Sequence, residues 1–209
     1  MNPLGTLCVI TAAIMTMGCV GLSSIEMSTA DRAQIKSVAI RVDSKLPDMF
    51  FHDQRKSLAF AGGLVGALVA QAMSNDPKAQ ILATMESNKI DIPTIVRSEF
   101  SKAMQTQRDF RVVESSTPAD AEMVLFVNVY GLGQANGFSS RLYPLLNLSA
   151  SLKRPDGTVV WQRTDHLGPL NEENFIGATS DDYIRTPDLL RQTWSNAAEI
   201  VSRMLVRRL

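Results

Sequence analysis

Residues 121–130, AEMVLFVNVY, form the most strand-like stretch of the chain. β-Branched and aromatic side chains are frequent in it, which is typical of a buried strand. Two further strands are predicted at 142–152 and 158–166, with a turn at 155–157, PDG, between them. Proline presets one φ in such a turn and glycine supplies a positive one, so the pattern predicts a hairpin. In its first strand, leucines alternate with residues of an opposite face: Tyr143, Asn147, Ser149 and Ser151.

Shorter strands and three long helices are predicted upstream and downstream of this hairpin. Apolar residues at helical spacing indicate amphipathic helices, and Asp or Thr close to a proline marks two of their starts. The glycine-rich segment Gly131–Gly137 is predicted as a loop. This order of elements predicts an α+β domain: an antiparallel sheet of about five strands with helices packed on one face. The additional strands are 36–43, 49–51 and 110–113, and the helices are 78–88, 91–107 and 186–209.

The amino-terminal 18 residues contain no charged side chain. Their apolar stretch, Leu4–Met17, has the size of a signal-peptide hydrophobic region and is shorter than the roughly 20 residues that a spanning helix needs. The stretch ends at Gly18-Cys19, and small or polar residues follow. We therefore expect a cleaved leader over 1–18, a flexible tether over 19–34 and one domain over 35–209.

The Gly18-Cys19 junction resembles the lipobox of bacterial lipoproteins. In that family the cysteine thiol is acylated with diacylglycerol, the leader is cut before it, and the new amino terminus is acylated with a fatty acid such as palmitate. The resemblance implies that acylated Cys19 anchors the protein to a membrane, since several acyl chains bind a bilayer stably. Val20 is not the aspartate that commonly retains such proteins in the inner membrane, so outer-membrane attachment facing the periplasm is implied. The alternative is an ordinary first helix with Cys19 as a buried thiol.

The remaining sequence resembles small periplasmic lipoproteins of the TolB amino-terminal-domain and YajG types. The resemblance is carried by a strand at 110–113, the sequence Ala119-Asp120-Ala121 before a long strand, and the hairpin that contains Trp161. It implies an accessory protein of the cell envelope that works by binding other proteins or by self-association. The glycine-rich insertion at Ser57–Met73 departs from the simpler members.

Small residues recur at helical spacing in the uncharged segment from Ser57 to Asn75. Gly62, Gly66 and Ala70 are four residues apart, and such a ridge lets another backbone approach closely. As a helix, the apolar core 58–70 would be about 20 Å long, too short for a bilayer of about 30 Å. We expect a helix packed on the sheet or on a partner; contact with the bilayer is the alternative. The basic end of the last helix, with Arg203, Arg207 and Arg208, is a second candidate contact.

Composition and motifs argue against most chemistry. The 21 basic and 21 acidic side chains balance, whereas general nucleic-acid binding needs a basic face. With two histidines and two cysteines, no metal site or cofactor is predicted, and the Gly-x-Ser-x-Gly nucleophile motif does not occur. His52 and His166 each adjoin an aspartate, but neighbouring residues on a strand point to opposite faces. We therefore expect a binding protein; the alternative is a periplasmic enzyme whose site is assembled from scattered polar residues that include these two histidines.

Overall fold

The computed structural model describes residues 24–52, 76–114, 116–136 and 139–209. Within these residues lie six strands and five helices. The strands are β1 (Ser37–Val42), β2 (Phe50–His52), β3 (Arg111–Val113), β4 (Ala121–Gln134), β5 (Leu142–Lys153) and β6 (Val159–Leu167). The helices are α1 (Thr29–Gln34), α2 (Pro77–Ser87), α3 (Ile92–Gln105), α4 (Ser180–Arg185) and α5 (Pro187–Val206).

All six strands belong to one open, mixed sheet of order β3-β1-β4-β5-β6, and β2 pairs with the far end of β4. β4, β5 and β6 are antiparallel, as predicted, and hold most of the paired residues. The predicted antiparallel sheet of about five strands is confirmed in part: the sheet is mostly antiparallel, but β1 pairs in parallel with β3 and β4, and β2 in parallel with β4. The chain reaches β3 and β4 only after α2 and α3, and a long helical crossover of this kind allows parallel pairing.

Helices α3 and α5 pack against each other and against the sheet. The sheet contributes alternate residues of β4 and β5 to a single apolar cluster with these helices, among them Met123, Leu125, Leu148 and Leu152. Trp161 of β6 is fully buried in this cluster, and its Nε1 donates a hydrogen bond to the Arg208 carbonyl oxygen at 3.1 Å. That bond joins the end of the last helix to β6.

The segment predicted as a glycine-rich loop is largely strand, since β4 continues through Gly131 to Gln134. A Cβ added at Gly131 would lie 2.1 Å from the Phe50 carbonyl oxygen of β2. Glycine is therefore required here by the close approach of another strand, and not by a turn. The hairpin turn was predicted correctly, and Gly157 has a φ of +86°.

Two segments that were predicted to be irregular contain structure. In the predicted tether, Ile25 forms a bridge with Gln162 of β6, and α1 follows with Ser28 as its N-cap. In the polar loop after β6, α4 begins with a capping box between Thr179 and Asp182. Short elements of this kind lack the periodicity on which the predictions rest. Among the described residues, no helix combines the length and apolarity that a membrane span requires.

Candidate functional site

The residues predicted to carry the function most directly lie outside the described residues. They are Cys19, the predicted lipidation site, and Gly62, Gly66 and Ala70, the predicted contact ridge. Lipidation and helix contact therefore stay predictions.

The sheet does not bring the two histidines together. His52 ends β2 opposite Gly133, and its ring stacks on Phe50 with centroids 6.2 Å apart. His166 on β6 is level with Val129 of β4, through Asn147 of β5. Gly133 and Val129, the β4 residues level with the two histidines, are four residues apart, which is about 13 Å along a strand. Within the described ranges, no group of three or more His, Cys, Asp or Glu side chains could hold a metal ion.

A ladder of polar side chains crosses the sheet face opposite α3 and α5, here called the open face. Asn128 Nδ2 donates to Asn147 Oδ1 at 2.8 Å and to Ser149 Oγ at 2.6 Å. The hydroxyls of Ser149 and Thr164 are 2.8 Å apart. A β-bulge between Val127 and Val129 places Asn128 at the start of this ladder. The ladder links β4, β5 and β6 and leaves polar atoms at a sheet surface that none of the described helices covers.

A shallow groove of about 240 Å³ lies along the open face. Phe126, which is 36% exposed, forms part of its lining together with polar side chains of β4, β5 and β6. Lys153 is the one ionisable group among its lining residues in the part of the chain that the structure describes. Exposed aromatic area beside amide and hydroxyl groups is suited to binding another surface.

The basic end of α5 lies in a groove of about 520 Å³ between α3 and α5. Arg203 contacts Glu199 at 3.3 Å and Glu173 at 2.6 Å. On α3, Lys102 contacts Glu99 at 2.9 Å. Two carboxylates thus offset Arg203, one of the three arginines that the sequence suggested as a contact, and the groove presents mixed charge.

Asp120, in the sequence Ala119-Asp120-Ala121, has a structural role. Its Oδ2 accepts hydrogen bonds from the Lys36 amide at 2.9 Å, the Ser37 amide at 2.8 Å and the Ser37 hydroxyl at 2.8 Å. The Lys36 amide, followed by the Ser37 donors, lowers the pKa of Asp120 below its ordinary value. The carboxylate thereby joins the start of β4 to the start of β1.

The loop over 168–178 presents two apolar side chains that sequence reasoning missed. Leu170 is 81% exposed and Phe175 is 71% exposed. Between them, buried Asn174 donates from Nδ2 to the carbonyl oxygens of Pro144 and Gly168, both at 2.8 Å. Isolated apolar residues in a polar segment have no periodicity, so the only available signal was their presence among glutamates and asparagines.

Similar solved structures include the PelC dodecamer from Paraburkholderia phytofirmans, at 12% identity and a TM-score of 0.41, with 90% of this chain and 94% of that chain covered. Protein XCC0632 from Xanthomonas campestris, of family DUF330, is 17% identical with a TM-score of 0.40; 55% of this chain is covered and 58% of that chain, less than two thirds of it. A minor lipoprotein from Acinetobacter baumannii is 11% identical with a TM-score of 0.34, over 83% of this chain and 92% of that chain.

Lipoproteins are thus among the structures that this chain resembles. Every one of these TM-scores is below 0.5, so the likeness transfers no function. No family model and no curated protein matches the chain. The predicted kinship with TolB-type and YajG-type proteins therefore stays a prediction.

Proposed function

We propose that this protein is a bacterial lipoprotein, acylated at Cys19 and attached to the outer membrane facing the periplasm, that acts as a non-enzymatic binding or assembly accessory of the cell envelope. The observation that carries the proposal is the Gly18-Cys19 junction at the end of an uncharged apolar run. Diacylglycerol on the thiol and a fatty acid on the new amino terminus give anchoring that one acyl chain cannot give.

The short connection between Cys19 and the folded domain supports this proposal. Ile25 N donates to the Gln162 carbonyl oxygen at 2.9 Å, and Gln162 N donates to the Ile25 carbonyl oxygen at 2.9 Å. Glu26 forms an ion pair with Arg163. The amino-terminal segment thus joins the edge of β6 six positions after Cys19, the proposed lipidation site. The folded domain of an anchored protein would therefore stay close to its membrane.

The open face supports a binding role. Its ladder of Asn128, Ser149 and Thr164 is internally hydrogen-bonded, so the surface is ordered before any partner arrives. Preformed surfaces lose less conformational entropy on binding. We propose that another envelope protein or a second copy of the chain binds there, with Phe126 as the apolar contact.

Intact-mass analysis of protein extracted from membranes tests the lipoprotein assignment. We expect a chain that begins at Cys19 and carries the added mass of diacylglycerol and an amide-linked fatty acid. In the matched variant Cys19→Ser, the acyl mass should be absent and the leader retained. A wild-type mass that corresponds to the uncut, unmodified chain would refute the proposal. Separation of inner and outer membranes by density then tests the attachment site.

A further inference from the structure

Three exposed apolar side chains lie at one end of the sheet and are here called the end patch: Phe50, Leu170 and Phe175. Phe50 is 45% exposed and pairs opposite Gly131, near the carboxyl end of β4. Pro169, next to Leu170, lies over Gly133 of the same strand end, 3.4 Å from the position of an added Cβ. Large apolar side chains grouped at one end of a folded domain indicate an interaction surface.

The loop that carries Leu170 and Phe175 is held firmly. Gly168 N donates to Asn171 Oδ1 at 2.7 Å, and Asn174 N donates to the Asn171 carbonyl oxygen at 2.9 Å. At its end, Gly177 lies against Tyr143, where an added Cβ would be 2.5 Å from the ring. The apolar side chains are therefore exposed on a fixed backbone, as anchor residues of binding surfaces are.

The direction of the amino-terminal segment relates this patch to Cys19. Ile25 pairs with Gln162 in antiparallel orientation, so Ser24, the residue before it, lies on the side of Ile25 toward which β6 runs to Leu167. Cys19 lies six positions before Ile25, a maximum reach of about 20 Å. The five steps along β6 from Gln162 to Leu167 span about 17 Å. Cys19 can therefore reach the level of Leu167, where the loop that carries Leu170 and Phe175 begins.

We infer that the end patch rests on the lipid bilayer to which Cys19 is anchored, with Phe50, Leu170 and Phe175 in the boundary between headgroups and acyl chains. This inference rests on the proposed lipidation. The sheet then stands with its hairpin turn at 155–157 pointing away from the membrane.

Tryptophan quenching on vesicles tests this orientation. Acylated protein, purified from membranes, is reconstituted on vesicles of phosphatidylcholine and phosphatidylethanolamine with or without brominated acyl chains. The variants are Phe175→Trp, Leu170→Trp and, as a control at the opposite end of the sheet, Thr117→Trp; all three positions are exposed. The native Trp161 and Trp194 are at most 1% exposed and give a common background.

We expect the emission added at positions 175 and 170 to fall about two-fold with brominated lipid, because apolar surfaces of bound proteins enter the boundary by about 5–10 Å. Emission added at position 117 should not change. Equal, weak quenching at all three positions, in protein whose mass shows the acyl chains, overturns the orientation and leaves the proposed function intact. If emission at position 175 shifts to the blue with protein concentration and is not quenched, a second copy covers the end patch. That result also overturns the membrane orientation. A mass without acyl chains overturns both proposals.

Discussion

At Asp120 a single carboxylate oxygen connects two strands that are more than 80 residues apart in sequence. It accepts hydrogen bonds from the backbone amides of Lys36 and Ser37 and from the Ser37 hydroxyl. Hydrogen bonds to the ionised form favour that form, which accounts for the direction of its pKa shift. The stability of the folded state therefore depends on whether the Asp120 carboxylate is ionised.

The lowered pKa of Asp120 predicts acid sensitivity. Its ordinary value is 3.8, and the folded value lies below this, so the unfolded chain binds the proton first as the pH falls. The stabilisation is present above 3.8 and is lost as the pH falls from there through the folded pKa. We expect Asp120→Asn to flatten the pH dependence of the free energy of unfolding between about pH 5 and pH 2, measured by urea denaturation. Glu86→Gln, on the exposed side of α2, is the control, and parallel pH curves for wild type and Asp120→Asn would contradict the prediction.

Two glycines of β4 provide a second test at the residue scale. An added Cβ at Gly131 would meet the Phe50 carbonyl oxygen at 2.1 Å, whereas at Gly133 the nearest atom is 3.4 Å away, on Pro169. We expect Gly131→Ala to lower the free energy of unfolding by about 1–3 kcal/mol, because β2 must move. Gly133→Ala should stay within about 1 kcal/mol of wild type, since only ordinary contact results. Similar urea midpoints for the two variants would show that β2 does not depend on this approach.

Among the elements, α5 connects most of the molecule. It contacts α3, β5 and β6, and ten of its side chains are buried. Two of its interactions involve tryptophan. Trp161 of β6 donates to the Arg208 carbonyl oxygen just beyond the helix, and Trp194 of α5 packs edge-on against Tyr130 at 5.9 Å. Within the described ranges, Trp194 Nε1 is buried without a hydrogen-bond partner.

These tryptophans form a matched pair for mutation. Trp161→Phe and Trp194→Phe remove the same volume from the core, but only the first also breaks a hydrogen bond. We expect Trp161→Phe to cost about 0.5–1.5 kcal/mol more in the free energy of unfolding, because the Arg208 carbonyl oxygen loses its donor. Guanidinium denaturation followed by circular dichroism measures the difference. A larger loss for Trp194→Phe would argue against the contribution of this bond.

Elements with long periodic patterns could be predicted from sequence, as α3 and its N-cap Asp91 show. The parallel pairing of β1 could not, because alternation in one strand does not specify the direction of its neighbour. Gly131 was misassigned because a close strand approach and a loop select the same residue. In the candidate surfaces, Ser149 and Asn147 were expected on the sheet face opposite the leucines, and they lie there. The exposure of Leu170 and Phe175 could not be predicted, because it depends on loop contacts that no local pattern encodes.

In the part of the molecule that the structure describes, helices cover one sheet face and polar side chains line the other. Two buried tyrosines, Tyr130 and Tyr183, bear on the stability of the entire fold. Tyr183 donates to the Leu142 carbonyl oxygen at 2.9 Å, and Tyr130 lies under α5. Burial raises the pKa of both phenols above the ordinary 10.0. Such a shift means that each neutral phenol is favoured by the folded state.

Alkaline pH should therefore lower the stability of the folded protein. The stabilisation from Tyr130 and Tyr183 is complete below 10.0 and is lost as the pH rises from there through their folded pKa values, since the unfolded chain ionises first. We expect Tyr183→Phe to be less stable than wild type at neutral pH, because its hydrogen bond is lost, yet to lose less stability between about pH 9 and pH 11. Thermal unfolding at these pH values checks this. An unchanged alkaline slope in Tyr183→Phe would contradict it.

The bridge between Ile25 and Gln162 has a consequence for how the protein survives cleavage. β6 is the outermost strand on its side of the sheet, and without Ile25 the outward amide and carbonyl of Gln162 would be free to pair. Uncovered strands of this kind recruit strands from other molecules. A protease that cuts between Ile25 and α1 would thus do more than release the domain from its anchor: it would expose a strand edge at which released domains can pair with one another.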